Sequence, residues 1–429
     1  MHSCNFEHFV TNWCTNTSFR LVFPYSGLIG ANLVPSILLD KLIKLEKAVY
    51  DDHDIFDKMD IEQKKIVFAT SAAILVLSTT IGIFMLRRRT GKRKTSIDGI
   101  TSTPVQVKES KKRITVEEMV LPTDWKQIGT VSNLHIYPMK SGRRVNLTKA
   151  EVIEIGLKEI CRKGRLPLRD RVFIVYREND KTFISNKTYP KMLKLTVNTL
   201  GTNIVELSLE KDKIIFNIPE YTDEKFVNLW KENVPTIDCG DEVGAWISKL
   251  LLGKDSGLRV GYWPDKLRRN VTEVYSDYMR VYENLCNDFT GAYSDIGSYL
   301  IVNQASIDDL NLKINDAQSR VTANNFRPNI VVVGAEPYSE DKWTWIKIGE
   351  DAIFRTFKPC TRCSVTTINP DTLVRSKQHE PIKTLKSYRQ VQETKLKEVE
   401  GDSPVMGMYM GVHTKGKIKF GDPVYIGSN

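Results

Sequence analysis

The chain has 429 residues, enough for two domains plus extensions. With 41% hydrophobic and 27% charged residues it has the make-up of ordinary globular protein. Its net charge of +10 does not mark a nucleic-acid binder: ten Lys/Arg against two acidic residues fall between Arg87 and Arg113, leaving only +2 and no basic stripe elsewhere. Seven cysteines, odd in number and widely scattered, do not look like a disulfide framework and point to a reducing compartment.

Residues 1–65 form an N-terminal extension with apolar patches at 21–23 and 33–39 but no signal-peptide pattern. Met59, seven residues before the next segment, is an alternative start. Residues 66–86 then run without a charge. As a helix this stretch is roughly 30 Å long, which predicts a transmembrane anchor. Arg87, Arg88, Arg89, Lys92, Arg93 and Lys94 follow at once, and by the positive-inside rule they put the C-terminal side in the cytosol. The acidic upstream flank agrees, with Lys64 and Lys65 opposing it. Residues 87–114 are polar and basic, contain Pro104, and read as a flexible linker.

From 115 to 262 short alternating runs dominate, at 172–176, 182–185, 193–197, 204–209 and 213–218, separated by turn residues. They predict a β-rich, barrel-like or sandwich-like domain. One helix interrupts it, with Asp241 as N-cap and apolar positions at Val243, Trp246, Ile247 and Leu250. Residues 263–429 mix both periods. A helix starts at Ser306, 329–334 is a buried strand, 383–397 is helix-forming, and 406–412 and 423–426 return to strand. The fold class is α+β, with strand-rich domains behind an N-terminal transmembrane helix.

The sharpest local feature is Lys358-Pro359-Cys360-Thr361-Arg362-Cys363. A lone CxxC is compatible with half a zinc site, a redox pair or two structural thiols. Lys358 and Arg362 favour a thiolate, the form that ligates metals, and basic side chains suit an anionic cofactor. Further basic clusters stand at 137–144, at Arg169-Asp170-Arg171 and at Asn325-Phe326-Arg327-Pro328-Asn329. Arg327, wedged between an aromatic and a proline before a buried strand, is not placed like a free surface charge.

Taken together, IYPMKS, LRDRVF, YSD, NNFRPNIVV, CTRCSVTTINPDT, TLKSYR and KFGDPVYI, in this order over 125–427, resemble the MOSC-domain family, and within it the amidoxime-reducing components of mitochondria. The resemblance implies molybdenum bound through the dithiolene of molybdopterin, with Cys363 as the metal's protein ligand. It implies cofactor contacts from Lys140, Ser141, Arg171, Arg327, Thr361 and Arg362, with Tyr409 nearby. After Tyr293-Ser294-Asp295 this chain has Ile296-Gly297-Ser298 where relatives have Thr-Ser-Pro, leaving Ser294, Asp295 and Ser298 to compensate. Ala335 replaces a cysteine of some relatives, and the loop 161–168 is longer than usual. By resemblance the activity is reduction of N-hydroxylated compounds such as amidoximes and hydroxylamines, with electrons from NADH through NADH-cytochrome b-five reductase and cytochrome b-five. The location implied is the mitochondrial outer membrane, facing the cytosol. A cofactor carrier and a sulfurase-like protein are the alternatives, although the chain has no room for a pyridoxal-phosphate domain.

The orientation has a direct test. If 115–429 faces the cytosol, the N-x-[ST] sites at Asn146, Asn186 and Asn270 stay unmodified. The cellular protein should show no mass shift on glycosidase treatment; a shift would reverse the topology.

Overall fold

The computed structural model describes residues 115–161, 163–220, 225–265 and 269–428. The expected anchor, its basic linker and the N-terminal extension lie outside these residues. Among the described residues no helix is long and apolar enough to cross a membrane.

Seven strands close into a barrel. They are β1 (Asp124–Ile136), β2 (Tyr299–Asn303), β3 (Ile330–Val333), β4 (Trp345–Ile348), β5 (Ala352–Thr361), β6 (Val405–Thr414) and β7 (Pro423–Ser428). Around the ring the order is β3-β2-β6-β5-β4-β7-β1 and back to β3. β2 and β3 run parallel, Ile301 opposite Ile330, and every other pair is antiparallel. A parallel pair cannot be joined by a hairpin. The crossover here is the stretch 304–329, which contains the helix Gln304–Lys313, capped by Asn303 through the Ala305 amide.

β2 is buried at all five positions and β3 at three of four, because barrel and crossover cover both faces. The main core spreads from Leu134, Ile136, Ile301, Ile346 and Phe354 to Val175, Leu207 and Val260, so the barrel and the preceding β-rich part share one apolar interior. That β-rich part consists of small sheets. Phe173–Arg177 pairs with Leu258–Tyr262, and Thr196–Thr199, Ile204–Leu209 and Asp212–Asn217 form a meander. Phe226–Leu229 and Glu232–Pro235 form a hairpin.

Several expected elements differ in detail. Asp241 is the first helical residue of Asp241–Leu252, with Gly240 at the N-cap; its charge favours that helix end without closing it. The second helix begins at Gln304 rather than Ser306, because the Asn303 side chain caps it two residues earlier. Residues 193–197 split into a 3-10 turn, Pro190–Lys194, opened by its proline, and the strand from Thr196. Residues 182–185 make only isolated bridges to Tyr176 and Asn228. The expected helix over 383–397 is two short helices, Ile382–Lys386 and Thr394–Glu400, because Gln390 leaves the helix to bridge Pro404.

The barrel wall tolerates side chains only where space exists. At Gly411 on β6 an added Cβ would lie 1.8 Å from Cδ1 and 2.6 Å from Cβ of Phe289, so the whole residue, not just its ring, would have to move. Gly411→Ala should cost about 1–3 kcal/mol through overpacking. Urea unfolding checks this: an unchanged midpoint would mean that Phe289 does not seal this wall.

Candidate cofactor site

Just beyond β1 the chain turns through Tyr137 to Gly142. Tyr137 is 1% exposed, its amide donates to Asp170 Oδ1 at 2.8 Å, and its hydroxyl donates to the Pro328 carbonyl at 3.3 Å. The Arg327 and Arg171 guanidinium carbons lie 4.1 Å and 4.7 Å from its ring centre. One buried phenol thus organises two arginines, which gain cation–π attraction while their charges crowd.

The two arginines are not equally satisfied. Arg171 pairs with the buried Asp170 carboxylate and donates to the Arg327 carbonyl at 3.3 Å. Among the described residues Arg327 pairs with no carboxylate, and its Nη2 is buried without a hydrogen-bond partner. Desolvation, together with repulsion from Arg171, lowers its pKa to about 10. A shallow, narrow cleft opens beside it, lined by Tyr137, Arg143, Arg144, Asn324, Arg327 and Asp371 among others. His135, 4% exposed at the end of β1, is lowered to about 4, first by burial and then by Arg144, Arg171 and Arg327. An orphaned guanidinium nitrogen in an arginine-rich cleft is the arrangement an anion completes.

Lys140 sits 6% exposed on the same turn. Its Nζ donates to the Tyr293 carbonyl at 3.0 Å and to Asp295 Oδ1 at 2.6 Å. Desolvation opposes ionisation of Asp295, but Lys140 prevails and holds the carboxyl at about 2. The backbone of this loop is fixed by Arg269, which donates to the Ser294 carbonyl at 2.6 Å and the Asp295 carbonyl at 3.2 Å. Arg269 itself is 2% exposed and pairs with the buried Glu232.

Ser141, Arg171 and Arg327 all have left-handed backbones, φ +65°, +49° and +55°. For residues with a Cβ that conformation costs about 1–2 kcal/mol each. Three of the ten non-glycine residues with this conformation among the described residues fall together here, as such residues do at functional sites.

The cysteine motif ends β5. Cys360 is buried, whereas Cys363 is exposed and opens the 3-10 turn Ser364–Thr367. Asn325 donates to the Thr366 and Ile368 carbonyls at 3.1 and 3.4 Å, tying the crossover to the cysteine turn. Arg362 donates to the Met406 carbonyl from Nε at 2.9 Å and to the Phe326 carbonyl from Nη1 at 2.8 Å. Its guanidinium therefore braces the loop from within rather than reaching towards a ligand. Thr361 is half-buried in the β5–β6 ladder opposite Val405.

The expected activation of the thiol by its basic neighbours is not what the surroundings produce. Although Cys363 reaches solvent, desolvation of its sulfur raises the thiol pKa, against the lowering pull of the Val365 amide and Arg362. Lys358 takes no part: it is 2% exposed, paired to Glu400 at 2.5 Å and enclosed by Tyr278 and Tyr282. Among the described residues no group of three or more His, Cys, Asp or Glu side chains is placed to hold a metal. A zinc cage needs about four such ligands.

Tyr409 stacks on Phe357 at 6.2 Å and 15°. Gly297 lies against both rings: a Cβ there would stand 2.9 Å from Tyr409 and 3.0 Å from Phe357. That contact accounts for the glycine in Ile296-Gly297-Ser298. Of the residues expected to compensate there, Ser298 donates to the Phe289 carbonyl and the Ser294 hydroxyl accepts from the Gly291 amide, so both serve the loop itself.

The structure thus gathers Lys140, Ser141, Arg171, Asp295 and Arg327, with Cys363 linked to them through Asn325. Tyr137 and Asn325 lie inside motifs legible in the sequence. His135, Glu232 and Arg269 carried no local signal, since each acquires its role only through residues distant in the chain.

A family model described as the MOSC N-terminal beta barrel domain matches residues 128–254, and one described as the MOSC domain matches 289–425. Mitochondrial amidoxime-reducing component 1 of Homo sapiens is 33% identical over 302 residues, covering 70% of this chain and 83% of that protein. Mitochondrial amidoxime reducing component 2 of Rattus norvegicus is 33% identical with the same coverage, and component 1 of Mus musculus 31%. With both domains matched in order and the relatives matched over most of their length, this chain belongs to the MOSC-domain family, among the amidoxime-reducing components.

Proposed function

We propose that this chain is a molybdenum-cofactor oxidoreductase that reduces N-hydroxylated compounds. The observation that carries the proposal is the pairing of an exposed cysteine with a strained, arginine-rich cleft holding an orphaned Arg327 nitrogen. Those residues fit the cofactor. Arg327, with Arg143 and Arg144 beside it, would hold its phosphate, and Arg171, Ser141 and Lys140 its polar ring edges. Cys363 would be the metal's single protein ligand, and a dithiolene supplying the other sulfurs would remove the need for a metal cage. When bound, this cofactor supplies the two-electron chemistry that converts an N-hydroxylated group to the amine and water. The protein's part is orientation and electrostatics. Arg362 and Asn325 lock the cysteine turn to the crossover, Tyr137 holds both guanidinium groups, and Lys140 keeps Asp295 ionised.

Electrons would come from NADH through NADH-cytochrome b-five reductase and cytochrome b-five. The names of the relatives support mitochondria as the location; the charge-free run at 66–86 would be the anchor in the outer membrane.

The two cysteines separate this proposal from its rivals. Cys363→Ser exchanges a soft thiolate for a mostly protonated hydroxyl and should lower turnover about a hundredfold or more with little effect on folding. Cys360→Ser should be much milder, because that thiol lies on β5 and packs into an apolar cluster with Leu300, Phe326 and Met406. NADH-coupled reductase assays with metal analysis check both; equal damage from either change, with zinc in the protein, would sink the proposal.

His135 provides a pH signature. Its pKa is about 4 in the folded chain, below the unfolded value, so the unfolded state binds more protons between those values. The contribution of His135 is therefore constant above about pH 6.5 and falls as pH drops towards 4, by about 3 kcal/mol for cofactor-free protein. A phosphate on Arg144, Arg171 and Arg327 would raise the folded pKa and shrink that loss. Urea unfolding across pH 4–7 with and without cofactor, and with His135→Gln, checks this. An identical pH profile in all three would show that the arginines do not act on His135.

A further inference from the structure

We infer that Trp230 is an aromatic wall for the organic part of the substrate, giving the site a preference for N-hydroxylated groups carried on flat, conjugated systems. This rests on the reductase proposal above.

Trp230 stands at the tip of the hairpin Phe226–Leu229/Glu232–Pro235. It is 55% exposed and its backbone is left-handed at φ +63°. The fold gains little from an indole so exposed, and the backbone conformation of a bulky residue there costs about 1–2 kcal/mol. Such an outlier persists only when its surroundings over-determine it.

They do so from two sides. The indole Nε1 donates to Asp295 Oδ1 at 3.4 Å, and the ring meets Phe183 edge-on at 4.9 Å and 68°. Beneath it, Glu232 accepts from Arg269 at 2.9 and 2.8 Å, while Arg269 also binds the Ser294 and Asp295 carbonyls. The Asn228 amide further ties the hairpin to the Lys181 carbonyl at 2.8 Å. Hairpin tip and Asp295 loop are therefore pinned to one another, and the ring is held in place before anything binds.

The pinned ring stands at the site. Asp295 pairs with Lys140 at 2.6 Å, on the turn whose Tyr137 ring carries Arg171 and Arg327. Lys140 Nζ lies 5.1 Å over the Phe183 ring. Trp230 and Phe183 thus border the Lys140–Asp295 pair, with the indole open to solvent. A flat conjugated compound stacks on such a ring beyond what its buried area alone gives, and an alkyl compound does not.

The test uses full-length holoprotein as wild type, Trp230→Leu and Trp230→Phe, with an aryl amidoxime and an alkyl amidoxime as matched substrates. The aryl-over-alkyl ratio of kcat/KM should fall about tenfold in Trp230→Leu, through KM, and largely recover in Trp230→Phe, at unchanged thermal stability. Calorimetric titration with the aryl amidine product should show the same order of affinities. An equal change on both substrates, or none, overturns the inference. If wild type reduces neither compound, the reductase proposal fails instead, and the calorimetric comparison alone decides whether Trp230 is an aromatic wall.

Discussion

Seven strands cannot alternate in direction around a closed ring, so one neighbouring pair has to run parallel. In this chain that pair is β2 and β3, and the constraint places most of the site. The crossover that joins them is long enough to carry a helix and to return with Asn325 and Arg327 just before β3. Asn325 then reaches the cysteine turn, and Arg327 reaches Tyr137 at the end of β1, the strand that closes the barrel against β3. A residue near 137, one near 327 and one near 363 meet because the ring closes in this way.

The second organising force is charge crowding. Arg144, Arg171 and Arg327 add to the lowering that burial imposes on His135, while the buried Asp170 pairs with Arg171 and the exposed Asp371 lies 3.8 Å from Arg144. Burying a guanidinium without a full set of acceptors is unfavourable, and three left-handed backbones add to the cost. A fold selected for stability alone would relieve this by adding an acid. The arrangement makes physical sense if an anion supplies the missing acceptors. Other buried cations of the chain show how stabilising partners are used where no ligand is needed: Lys358 has Glu400, Arg269 has Glu232, and Arg259 has Asp238 at 2.6 Å.

Much of this was legible in the sequence, for identifiable reasons. Strand alternation at 204–209 and the buried run before Gly334 are local patterns, and the elements appear where they predict. The cysteine pair and the basic motifs were visible as chemistry. What local pattern could not show is partnership. Arg362 looks like a cofactor-gripping residue in sequence, yet its guanidinium is committed to carbonyls 36 and 44 residues away. Lys358 looks like an activator of the thiol and is instead buried against Glu400. The break near Gln390 in an otherwise helix-forming stretch depends on a bridge to Pro404, which propensity does not encode. Trp230 and Glu232 become site residues only through Asp295 and Arg269, both more than 30 residues away.

Cys363 is proposed as the one protein ligand to molybdenum, in a cofactor whose phosphate the arginine cleft would hold. X-ray absorption at the molybdenum edge tests it most directly, on wild type and Cys363→Ser loaded in the same way. Wild type should show the dithiolene sulfurs plus one further sulfur, and the variant should lack that one while keeping the others. An identical sulfur shell in the two proteins, or a wild type that retains no molybdenum, would contradict it.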